Sequence, residues 1–133
     1  MRRVVVTGIG LVTPLGANAS VTWDRLINGE SGITEVTQFD VTDLPAKIAG
    51  TVPEGATDLG LFCPDDWVEP KEQRKIDRFI LLGMVAASQA VENSGWIAKT
   101  SEDQNRTGVI IGSGIGGLQQ INDNAIKLNE AGP

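Results

Sequence analysis

Histidine is absent from all 133 residues. That absence excludes a Ser-His-Asp triad, a Cys-His pair and a His-ligated zinc within the chain. Cysteine is nearly absent: Cys63 stands alone, which excludes an internal disulfide and any cysteine-based metal cage. Positive charge is in deficit, with 11 Lys and Arg against 17 Asp and Glu and a net charge of −6. A general nucleic-acid binder carries the opposite balance. Long hydrophobic runs are missing too, so no segment reads as a membrane span. What is there suffices for a packed unit. The chain is 41% hydrophobic, too apolar for a disordered one. Its length suits one domain over residues 1–133, able to bury roughly two thirds of its unfolded surface.

The N-terminus runs Arg2-Arg3 into Val4-Val5-Val6 and is broken at once by Thr7, Gly8, Gly10 and Pro14. A signal peptide needs a continuous apolar stretch and a small-residue cleavage site, and neither follows. The expectation is a basic flank on a buried first strand. With one cysteine and no secretion signal, a reducing cytoplasm is the expected compartment.

The β-branched runs Arg3 to Ile9 and Thr107 to Ile111 read as strands buried on both faces. Gly8, Gly10, Pro14 and Gly16 punctuate a turn after the first. Asn18 or Ser20 caps a helix with Trp23, Leu26 and Ile27 inward, ended by Asn28-Gly29. Residues 31 to 68 read as a packed loop region holding Phe62 and Trp67, with a short strand over Lys47 to Val52. Pro70 to Asn93 reads as one long helix with an apolar stripe of Ile76, Phe79, Ile80, Met84, Ala87 and Val91, stopped by Ser94-Gly95. Lys99 to Arg106 reads as a polar link. Leu118 to Glu130 reads as a closing helix with Leu118, Ile121, Ala125 and Leu128 on one side. Strands alternating with helices argue for an α/β fold with an at least partly parallel sheet. Two such strands do not make a sheet, which points to a part of a larger fold.

Three features invite a chemical reading. The turn Gly112-Ser113-Gly114-Ile115-Gly116-Gly117 fits G-x-G-x-x-G between a strand and a helix, the setting of a dinucleotide fingerprint. No acidic residue ends a second strand about 20 residues on. The glycines equally suit close backbone packing, or a loop that lines a non-nucleotide site with Ile115 projecting. Cys63 has Asp65 and Asp66 as its nearest charges, and no histidine exists to act as its base, so it reads as a structural thiol. Lys71, Arg74, Lys75 and Arg78 fall at i, i+3, i+4 and i+7, one cationic helix face in an acidic chain, offset in part by Glu72 and Asp77. Such a face is either plain solvated surface or a docking patch for an acidic partner.

Four blocks in order resemble the β-ketoacyl-acyl-carrier-protein synthases. They are Arg2 to Gly10 with Thr13-Pro14-Leu15-Gly16; Trp23 with Gly29-Glu30-Ser31-Gly32-Ile33; Lys71 to Phe79; and Ile111 to Gly117. The resemblance implies a thiolase-like fold, layered αβαβα, with only the first part of its N-terminal half present. It implies a homodimeric condensing enzyme of fatty-acid biosynthesis, an acyltransferase that needs no cofactor. In that family a Cys takes the acyl chain as a thioester. Two His residues then assist decarboxylation of malonyl-carrier protein, and the carbanion attacks the thioester. Those residues lie in later motifs; Cys63 does not match the nucleophile motif, so no catalytic residue is expected here. The chain is expected to be an N-terminal portion, inactive alone. The resemblance assigns Lys71, Arg74 and Lys75 to docking acyl carrier protein. It places Ile115 in the acyl pocket near the dimer interface, with a branched residue at that place as in type II synthases. A nucleotide-binding module built on Gly112 to Gly117, or a non-catalytic carrier-docking module, are the alternative readings. No nucleic-acid or membrane partner is expected.

Overall fold

The computed structural model describes residues 2–132; Met1 and Pro133, the ends of the expected 1–133 unit, lie outside the described residues. After an N-terminal segment without helix or strand come helix α1 (Ala19–Ile27), strands β1 (Ile33–Glu35) and β2 (Ile48–Gly50), and helix α2 (Pro70–Gln73). Helices α3 (Arg78–Ser94), α4 (Ser101–Asn105) and α5 (Leu118–Ala131) complete the order. Short 3-10 turns at Thr57–Leu59 and Pro64–Asp66 bend the chain between β2 and α2.

The core is small. Ala17, Phe62, Leu81 and Val85 are buried, with Val12, Val52, Val68, Ile76 and Leu82 packed around them. Phe62 is completely enclosed. It is held by its own backbone, donating to the Pro53 carbonyl at 2.9 Å and accepting from Gly55 at 3.1 Å. The strand expected over Lys47 to Val52 forms as β2. It pairs antiparallel with β1, Ile33 opposite Gly50 and Glu35 opposite Ile48.

The two β-branched segments expected as buried strands do not pair. Val4 to Val6 and Val109 to Ile111 have no regular secondary structure, join no ladder and are exposed, Ile110 almost fully. Branched side chains favour an extended backbone, but a strand also needs a neighbour, and these two segments do not supply one to each other. The first runs along α3 instead. Ile9 N–H donates to the Asn93 side chain at 3.0 Å and Leu11 N–H to the Gln89 side chain at 3.2 Å. Gly8 and Gly10 press on the carbonyls of Ala90 and Ala86 so closely that any Cβ would collide. These glycines therefore permit close contact with a helix, not only a turn. The turn itself is at Thr13–Gly16, closed by reciprocal backbone bonds of 2.8 and 3.1 Å.

Helix α1 starts and stops where expected. The Asn18 side chain accepts from Val21 N–H at 2.9 Å, and Gly29 follows in the left-handed region, φ +73°. Its inward face differs. Trp23, Leu26 and Ile27 are exposed, and Thr22 is the buried residue. Polar anchoring turns the helix this way: Thr22 bonds Thr13 at 3.0 Å, and Arg25 donates to the carbonyls of Leu15 (2.6 Å) and Leu59 (3.1 Å).

The long helix expected from Pro70 to Asn93 is two. Helix α2 ends after one turn, Asp77 is extended (ψ 154°), and α3 begins at Arg78. Gly95, φ +64°, ends α3 as expected. The buried face of α3 is Leu81 and Val85, while Phe79, Ile80, Met84 and Val91 of the expected stripe are exposed. Arg78 to Val91 is apolar almost all round, so spacing alone cannot choose the face. Residues 99–106 are not merely a link. Thr100 and Asp103 form a capping box at 3.1 Å in both directions that starts α4. Helix α5 forms with none of its residues buried, including Leu118, Ile121, Ala125 and Leu128.

Candidate functional site

The candidate surface joins the α2–α3 junction to the glycine turn before α5. Pro70 at the first helical position starts α2, and the acidic Glu72 lies in that turn. Gln73 anchors the segment from its inner side, its amide donating to the Val68 carbonyl at 2.6 Å and the Asp65 carboxylate at 2.8 Å. Ile76 packs against the core. With Gln73 and Ile76 turned inward, Lys71, Arg74 and Lys75 are left exposed. Lys75 pairs with Glu72 at 2.6 Å. Among the described residues, Lys71 and Arg74 have no ion-pair partner.

The four cations do not share one helical face, because the helix breaks between Gln73 and Arg78. Arg78 is ion-paired with Glu54 and also reaches the Val52 carbonyl at 3.3 Å. Asp77 does not offset the cationic cluster as its position in the chain suggests. Its carboxylate sits against Gly117, so close that a Cβ there would collide with it. The ring of Phe79 lies beside the same step, 3.6 Å from where a Gly117 Cβ would be and 3.8 Å from a Gly116 Cβ.

This contact explains part of the glycine turn. Gly117 admits the Asp77 carboxylate, and Gly116 takes φ +81°. Around Gly112 and Gly114 a Cβ would meet open space. Close packing therefore accounts for part of the G-x-G-x-x-G pattern. Gly117 caps the start of α5. A carboxylate already lies at that helix end, where the macrodipole favours one negative charge, and it works against a pyrophosphate there. Ile115, next to this packed step, is 76% exposed. The cleft of about 640 Å³ between Pro53, Glu54, Arg78 and Leu82 includes none of Lys71, Arg74, Lys75 or Ile115.

The structure thus brings the turn that holds Ile115 against Asp77 and Phe79, just past the cationic segment in the chain. The roles of Gln73, which anchors the cationic segment, and of Asp77, which meets Gly117, escape a reading by spacing. Their signal is weak: two polar residues at the inner positions of a cationic helix. Cys63 is partly buried and leads into the turn at Pro64–Asp66, away from the glycine turn in sequence and without a paired group. Among the described residues, no helix is long and apolar enough to cross a membrane.

Comparison with known proteins decides the family. The model for the beta-ketoacyl synthase N-terminal domain matches residues 1–132. The chain belongs to the beta-ketoacyl synthase family. It is 53% identical, over its whole length, to the 3-oxoacyl-[acyl-carrier-protein] synthase 2 of Rhizobium meliloti (strain 1021), covering 32% of that protein. It is 40% identical over 99% of its length to the enzyme of the same name from Vibrio harveyi, covering 30% of it. A mitochondrial 3-oxoacyl-[acyl-carrier-protein] synthase of Arabidopsis thaliana is 38% identical over 90% of the chain, which covers 28% of it. The chain therefore spans about a third of the length of these ketosynthases. Its fold superposes on the ishigamide ketosynthase/chain length factor with TM-score 0.71 and 26% identity, over 98% of this chain and 30% of that one. The fold is thus the thiolase-like α/β fold of the ketosynthases over that portion, although the ladder of its central strands is not formed among the described residues.

Proposed function

We propose that these 133 residues form the N-terminal portion of a type II 3-oxoacyl-acyl-carrier-protein synthase, an acyltransferase of fatty-acid biosynthesis that works as a homodimer in the cytoplasm. The observation that carries this is the 53% identity over the whole chain to a synthase 2. In the reaction, a thiolate of the enzyme attacks the acyl-carrier thioester and releases the carrier's thiol. Malonyl-carrier protein loses CO2, and the resulting carbanion attacks the enzyme thioester and expels the thiolate. With no His and with Cys63 outside any nucleophile motif, these residues supply none of that chemistry. Their part is binding. Lys71 and Arg74, exposed and unpaired among the described residues, together with Lys75, meet the acidic carrier protein through charge complementarity. Ile115 faces the acyl chain and limits its length.

The test is reconstitution of a full-length synthase carrying these residues with acyl- and malonyl-carrier protein. A 3-oxoacyl product is expected by mass spectrometry, and none from the 133-residue chain alone. Failure of the full-length protein to condense any acyl chain would overturn the reading.

A further inference from the structure

The segment that carries Lys71, Arg74 and Lys75 and the turn that carries Ile115 are about 40 residues apart in sequence, yet they meet through Asp77 and Phe79. Asp77 is two residues past Lys75, in extended backbone, with its carbonyl accepting from Ile80 at 3.0 Å and Leu81 at 3.2 Å. Its backbone is therefore fixed to the start of α3, and Leu81 of that turn is in the core. Its side chain meets Gly117, two residues after Ile115. We propose that Asp77 is a positioning residue that sets acyl-length preference: its carboxylate holds the Gly116–Gly117 step and so fixes where the Ile115 side chain projects. This rests on the reading of Ile115 as a residue of the acyl pocket.

The physical basis is local. Gly116 and Gly117 are the least restrained kind of residue, so a turn containing them keeps one shape only if something outside it supplies a wall. Asp77 and Phe79 supply the nearest atoms to a Cβ at Gly117, and Phe79 the nearest to one at Gly116. The negative charge at the α5 start is also the sign that a helix N-terminus favours. Removing it leaves the turn free to adopt other shapes, and Ile115 follows.

The experiment is a double-mutant cycle in a full-length synthase, with kcat/KM measured for short and long acyl-carrier substrates. Ile115→Gly comes first and should shift the preference toward long chains. If it does not, the pocket reading of Ile115 fails, a result distinct from the failure of the Asp77 proposal. Asp77→Ala should also change the ratio of long- to short-chain kcat/KM. In the Ile115→Gly background it should leave that ratio unchanged. The coupling expected is about tenfold, within the range for residues that act through one another. Gly117→Ala should mimic Asp77→Ala, and combining the two should relieve the collision and restore part of the wild-type ratio. Equal loss at all chain lengths in both backgrounds would overturn the proposal, because a merely structural role lowers activity without changing preference. Asp77→Asn, of nearly the same size, guards against misfolding; if it too fails to fold, Asp77 is structural and the proposal is overturned.

Discussion

Single residues show how little of this chain is enclosed and how much rests on that little. Among the described residues Phe62 is the one large aromatic side chain at zero exposure, and of the three other buried residues in its core only Val85 is also fully enclosed. Phe62→Ala should destabilise the protein by about 3–5 kcal/mol, the usual range for a buried aromatic. Thermal unfolding of wild type and variant checks it; a loss under 1 kcal/mol would mean that the residues around Phe62 close the gap. Gln73 makes a different kind of contribution. It carries no charge, yet its two bonds of 2.6 and 2.8 Å hold the cationic segment on its base. Gln73→Ala should weaken carrier-protein binding several-fold without altering net charge. Calorimetric titration would read this, and unchanged affinity would show that the segment needs no anchor.

Elements differ in how far their own letters determine them. Helix α4 is short and local, held by the Thr100–Asp103 capping box. The hydrogen bonds from Thr100, first its side chain and then its backbone, hold the Asp103 carboxyl below the ordinary carboxylate range. A carboxylate with a lowered folded-state value adds stability at pH above its unfolded value, and that contribution disappears as pH falls through the folded one. Helix α4 should therefore fray in acid below the normal carboxylate range and stay intact at neutral pH. Amide chemical shifts of residues 100–105 through an acid titration test this, with no change at low pH counting against it.

The same distinction explains what could be read ahead of the structure. The ends of α1, at Asn18 and Gly29, and the stop of α3 at Gly95 depend on one or two neighbouring residues, and all three were legible. The Thr100-x-x-Asp103 signal was equally local but lay inside a stretch that reads as polar link. The break at Arg74 to Asp77 was not legible, because Lys-Glu-Gln-Arg-Lys consists of good helix formers. What breaks it is tertiary: Ile76 turns to the core and Asp77 to Gly117. Which face of α1 and of α3 is buried was misjudged for a related reason. Apolar spacing marks Trp23 and Met84 as well as it marks Leu81, and only the partners across the interface choose. Of the candidate site, the cations and Ile115 stood out as letters, whereas the junction that relates them did not.

At the scale of the whole molecule, apolar residues of the N-terminal segment, of residues 109–111 and of α5 are each exposed. The family's fold is layered around paired strands, and the chain spans about a third of its relatives' length. In a full-length synthase the amides of Val4 to Val6 and Val109 to Ile111 should accordingly resist hydrogen exchange, as ladder members do. In the 133-residue chain alone they should exchange fast, and the chain should bind an apolar dye. Fast exchange at both segments in the full-length protein would contradict their place in a central sheet.

Carrier binding by the cationic segment is tested most directly by reversing its charge. In a full-length synthase, Lys71→Glu combined with Arg74→Glu should raise KM for acyl-carrier protein at least tenfold while kcat changes little. Rising salt should reduce the difference between wild type and variant by screening the charges. An unchanged KM, or a fall in kcat with KM intact, would contradict the claim that this segment binds the carrier.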